Sequence, residues 1–223
     1  MTITRLIGWA ACVFFAALSM TATVFATAQR SDILIYEGKE YFLHTNPLNE
    51  FLEKNSDIKV PETRMQITSL WRGYVATFEI RDGCLFIKDV RIPKGSDKET
   101  HELIWESVID KIIKKEKDRR ADWFSGLLVL PHGKIINYVH MGYASTFENY
   151  ILLEIDKGKY VKERRLPGEA YWFFKKKQFE LFRQTDEYKK LVEDLIKKGS
   201  SRDEAESFLE IFVIDYSKKI LND

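Results

Sequence analysis

Tyr74–Lys88, YVATFEIRDGCLFIK, reads as two strands joined at Asp82-Gly83. Asp-Gly is a favoured pair for a two-residue type I′ turn, and apolar and polar residues alternate on either side of it. Folding the chain there sets Ile80 opposite Leu85 and Phe78 opposite Ile87, with Tyr74 and Ala76 extending the apolar face. Cys84 falls opposite Arg81. The other face carries Thr77, Glu79, Arg81 and Lys88. One side packs on a core and the other is more polar, as an antiparallel sheet allows.

Toward the N-terminus, Ile33–Tyr36 and Tyr41–His44 flank Glu37-Gly38-Lys39 and predict a second hairpin. Asn46-Pro47 predicts a helix start, with the helix running to about Lys54. Toward the C-terminus, Ile104, Trp105, Val108, Ile109, Ile112 and Ile113 recur at helical spacing, predicting a helix over His101–Lys117. The nearly unbroken apolar run Trp123–Leu130 predicts a central strand. Pro131-His132-Gly133-Lys134 predicts a turn into a strand over Ile135–Met141. Tyr150–Asp156 and Tyr160–Arg165 predict a third hairpin around Lys157-Gly158.

The last quarter predicts three helices. The first places Tyr171, Phe174, Gln178, Leu181 and Phe182 on one face, with Trp172 and Phe179. The second repeats Tyr188, Leu191, Val192, Leu195 and Ile196 and stops at Gly199. The third opens on a Ser201/Glu204 capping box, with Ala205, Phe208, Leu209, Phe212, Val213, Tyr216 and Ile220 as its stripe. The fold class is α+β: a largely antiparallel sheet meander with one inserted helix and a C-terminal helical cluster.

Met1–Ala28 has the pattern of a secretory signal peptide. Arg5 is its single charge, Leu6–Leu18 is apolar, and Ala26-Thr27-Ala28 is a small-x-small cleavage pattern, so cleavage falls before Gln29. The alternative is an uncleaved anchor, since extending the run through Ala28 reaches about 20 residues. Residues 29–223 then form a single domain in the periplasm or outside the cell. Of 35 basic and 34 acidic side chains only Arg5 lies in the leader, so the remainder is neutral, which disfavours a nucleic-acid partner. Cys84 is the one cysteine outside the leader, leaving no intramolecular disulfide.

Three stretches resemble an uncharacterised family of small bacterial proteins: Tyr36–Tyr41 with Asn46-Pro47-Leu48, Trp71–Ile80, and Phe182–Leu191 with its Thr185-Asp186-Glu187-Tyr188. The resemblance covers most of the chain after the leader. It implies a common α+β fold and carries no activity or catalytic residue across.

Motifs for chemistry are sparse. Phosphate-cradling GxxxxGK[ST] and GxGxxG are absent, as is GxSxG. His132 and His140 lie about 26 Å apart along a strand, too far to share a metal, and His101 lacks the HExxH spacing. Cys84 has no histidine near it in sequence. Ile112–Arg120 and Tyr171–Phe182 mix basic and aromatic residues, but Glu116, Asp118 and Glu180 interrupt the charge. Lys175 alone falls on an apolar stripe, where its stem snorkels. No catalytic residue, metal or cofactor is assigned.

The expectation is therefore an exported, non-enzymatic protein that binds another protein, as an envelope inhibitor or immunity protein. The polar face of the Trp71–Ile92 hairpin, with Arg72, Thr77, Glu79, Arg81 and Lys88, is the candidate contact surface. The alternative is an envelope hydrolase of glycan or peptide. It would use acids and histidines from loops such as Pro131–Lys134 and Met141–Asn149, with His132, His140 and Glu148 as the residues to test.

Overall fold

Three tight turns set the strand registers. In a computed structural model describing residues 28–222 apart from Arg64, Gln66 and Met141, each turn has two central residues with positive φ: Glu37-Gly38, Asp82-Gly83 and Lys157-Gly158. That conformation matches the right-handed twist of the strands it joins. The first hairpin is β1 (Asp32–Tyr36) and β2 (Lys39–Leu43); the second is β3 (Val75–Arg81) and β4 (Cys84–Ser96). The expected register holds, with Ile80 opposite Leu85, Phe78 opposite Ile87 and Arg81 opposite Cys84. The third is β7 (Thr146–Asp156) and β8 (Lys159–Pro167). Helix α1 (Pro47–Lys54) begins at Pro47 as predicted. The predicted leader lies outside the described residues except for Ala28.

Two β elements differ from the sequence reading. The helix expected over His101–Lys117 is instead strand β5 (Leu103–Ser107), a single helical turn α2 (Ile109–Ile112) and a 3₁₀ turn (Glu116–Arg119). The Asp97 carboxylate accepts from the Glu99 and Thr100 backbone N–H groups, bending the chain so that β5 pairs back on β4. The turn expected at Pro131–Lys134 is interior to β6 (Gly126–Asn137), absorbed as an irregularity between His132 and Ile135. Pro131 fits there because, among the described residues, β7 is β6's only strand partner, and the bonds that His44 and Thr45 make to the other side of β6 reach only Leu127 and Val129. The expected central strand is thus the last in the pairing order.

The sheet has eight strands in the order β2-β1-β3-β4-β8-β7-β6, with β5 on β4. It is antiparallel except between β1 and β3. The two halves meet tip to tip: Leu85 N–H donates to Gly158 O at 2.8 Å and Tyr160 N–H to Gly83 O at 2.9 Å. Beyond β2 the chain curls onto β6. His44 N–H donates to Val129 O at 2.9 Å, while Thr45 Oγ1 donates to Leu127 O and accepts from Val129 N–H, both at 3.1 Å.

Alternation along β6 and β7 then serves two cores. Leu128, Leu130, Ile151, Leu153 and Ile155 face inside the curl, against Leu34, Phe78, Leu85 and Ile87. Leu127, Val129, Tyr150 and Leu152 face the helices. Those helices are α3 (Gly168–Phe182), α4 (Asp186–Lys197), α5 (Arg202–Ile211) and the single turn α6 (Val213–Tyr216). The capping box forms as predicted. The predicted third helix divides at Phe212, and the chain leaves helical structure after Tyr216. Its end is tied down by buried polar groups. Glu154 accepts from Ile220 N–H at 2.7 Å, and Gln178 donates to Lys219 O and accepts from Leu221 N–H. Trp172, expected on the buried face of α3, is exposed.

Candidate functional site

Two clefts open on either side of the segment that joins β6 to β7. The first, about 620 Å³, lies on the outer face of the sheet. Inward-pointing residues of β1, β2 and β3 fill the core, so their alternates Ile33, Phe42, Val75 and Thr77 line this face. Trp105 of β5 and Tyr138 complete it. Phe42, Ile135 and Tyr138 expose 62%, 54% and 59% of their surface around it. The second cleft, about 550 Å³, lies between the same segment and helices α3, α5 and α6.

The wall between them is His44 stacked on Tyr143, centroids 4.6 Å apart and planes 11° from parallel, with Phe147 edge-on to His44. Burial pulls the His44 imidazole down to about 4, so the ring is neutral at physiological pH. The Tyr143 hydroxyl donates to Asn46 Oδ1 at 3.0 Å and accepts from Arg72 Nη2 at 3.3 Å. Ser145 Oγ accepts from Val139 N–H and donates to Val139 O, pinning the segment across the clefts.

The five candidate surface residues are not brought together. Arg72 turns inward: its side chain is 5% exposed and ion-paired to fully buried Asp32. Thr77 alone of the five lines the first cleft. Arg81 is exposed, its guanidinium 4.4 Å from the Phe86 ring centroid, while Glu79 is half-buried and Lys88 exposed.

The residues weighed for hydrolysis are also dispersed. His132 meets Tyr41 edge-on, His140 Nδ1 lies 2.9 Å from the Tyr138 hydroxyl, and Glu148 accepts from Lys134 N–H. None of the three lines either cleft. Cys84 is a half-buried free thiol at the hairpin turn. Among the described residues no cluster of three or more His, Cys, Asp or Glu could hold a metal, and no helix is long and apolar enough to cross a membrane.

Sequence reasoning missed the apolar character of the first cleft. Its one local signal was large apolar side chains at outward strand positions, Phe42 and Ile135 foremost. No family model, curated protein or solved structure matches the chain.

Proposed function

We propose that the chain is an exported, non-enzymatic binding protein that grips another protein at the first cleft, in the role of an envelope inhibitor or immunity protein. The observation that carries this reading is the rim. Phe42, Ile135 and Tyr138 hold large apolar surfaces in water around a concave sheet face, an arrangement that marks interaction sites. Against hydrolysis stands the dispersal of His132, His140 and Glu148, with His44 held as a neutral stacked ring and Ser145 engaged with the backbone. Export rests on the leader read from the sequence.

The test is capture by the tagged full-length chain in its host envelope, with brief crosslinking. The wild type should bring down one stoichiometric protein. Phe42→Glu and Tyr138→Glu should lose it while keeping the wild-type unfolding midpoint. Turnover of a glycan or peptide by the purified protein, or capture indifferent to both substitutions, overturns the reading.

A further inference from the structure

The second cleft differs chemically from the first. Its walls are aromatic. Tyr143 stands on one side, and Tyr171, stacked on Tyr150 with centroids 3.9 Å apart, stands on another. Trp71 and Trp172 line it as well and are 73% and 68% exposed, so indole surface is held in water beside the opening. Among these rings lies a single carboxylate, Asp215 of α6.

That carboxylate is unmatched. Among the described residues nothing hydrogen-bonds or ion-pairs with it, although it remains open to solvent within the cleft. The cation whose field reaches it is Lys175 of α3, and Lys175 Nζ donates to Ile211 O at 3.2 Å. Arg72, which also lines the cleft, is spent on Asp32. A negative charge in a cleft lined by aromatic side chains is complementary to a positive charge carried on an apolar body, because ring quadrupole and carboxylate attract the same ligand. The volume suits a small molecule.

We propose that the second cleft binds a small organic cation of the alkylammonium class, with Asp215 as counter-charge and Tyr143, Tyr171, Trp71 and Trp172 as the ring faces around it. The site is independent of the protein-binding reading of the first cleft.

Acid should weaken it. Although Asp215 keeps solvent-exposed surface, its partial desolvation among the cleft walls pushes the carboxyl up to about 6 against the pull of Lys175. The other titratable groups around it are the Tyr143, Tyr150, Tyr171 and Tyr216 phenols, all raised, the Arg72 guanidinium held to Asp32, and His44 in the wall, lowered to about 4. Between pH 7.5 and 5 only Asp215 changes its charge within the cleft.

The test is calorimetric titration of the purified full-length chain with choline, butylammonium and the uncharged choline isostere 3,3-dimethylbutan-1-ol, backed by tryptophan fluorescence. Both cations should saturate, with the alcohol at least about tenfold weaker. Affinity for choline should fall about tenfold from pH 7.5 to 5. Asp215→Asn should lose about tenfold and flatten the pH response, and Trp172→Ala about fivefold, both with unfolding midpoints at or above wild type. The proposal is overturned if the alcohol binds as well as choline. It is equally overturned if Asp215→Asn leaves choline binding unchanged, or if neither cation binds at about 50 mM.

Discussion

Arg72 forks onto Asp32, with Nη1 2.9 Å from Oδ2 and Nη2 3.1 Å from Oδ1. Ala76 N–H adds a third donor at 2.9 Å, and Arg72 Nη2 also donates to Arg30 O. Burial raises the Asp32 carboxyl above its usual range, against the pull of Arg72 and Ala76. Removing one partner strands the other charge inside the fold. Arg72→Met should destabilise by about 3–5 kcal/mol. Arg72→Met with Asp32→Asn should recover part of that loss. Urea unfolding of the single and double variants checks both.

Thr45 closes the curl with two bonds from one hydroxyl. Thr45→Val keeps the shape and removes both, leaving Leu127 O and Val129 N–H without that partner. The expected cost is about 1–3 kcal/mol. A Thr45→Ser variant, which keeps the hydroxyl, should lose clearly less in the same denaturation assay.

His44 predicts an acid-side loss of stability. Its folded-state value of about 4 lies below the ordinary 6.5, so the unfolded chain binds the proton more tightly. The stability it contributes is complete above about pH 6.5 and is lost as pH falls toward 4, by roughly 3 kcal/mol. His44→Phe keeps a ring against Tyr143 and Phe147 and removes the titration. The gap in unfolding free energy between variant and wild type should therefore widen in the variant's favour between pH 7 and 4.

Gly158 sits where the two halves of the sheet meet. Its φ is +73°, and a Cβ there would come within 2.9 Å of the Ala121 backbone. Ala121 cannot easily retreat, since its N–H donates to Leu85 O at 2.8 Å. Gly158→Ala should destabilise by about 1–3 kcal/mol, read as a lowered urea midpoint. Gly38→Ala, at a similar φ but with open space around it, should cost less.

How much of this could be read from the sequence depended on range. Asp82-Gly83 and Lys157-Gly158 announced their turns locally, and next to the first turn the pairs Arg81/Cys84, Ile80/Leu85 and Phe78/Ile87 followed, because a two-residue loop fixes the pairing beside it; the bulges farther along, at Thr77/Phe78 and Glu154/Ile155, carried no such local signal. Ser201 and Glu204 announced their helix in the same way. Leu103–Ser107 failed because its apolar residues satisfy a helical spacing as well as a strand edge, and β4 supplied the deciding hydrogen bonds. The clefts were illegible for a related reason. They depend on the parallel β1–β3 pairing, and on Tyr143 reaching His44 from about a hundred residues away. Arg72 looked like a surface charge because its partner Asp32 lies 40 positions earlier.

The shared strand pair has a consequence for how the molecule comes apart. Leu152 and Leu153 are neighbours on one backbone yet belong to different cores, as do Leu127 and Leu128. Neither core can loosen without displacing the strands that line the other. Heating should therefore yield one calorimetric transition, with equal van't Hoff and calorimetric enthalpies. A chain cut after Pro167 would bare Leu127, Val129, Tyr150 and Leu152 to water, and would associate with itself instead of persisting as a monomer.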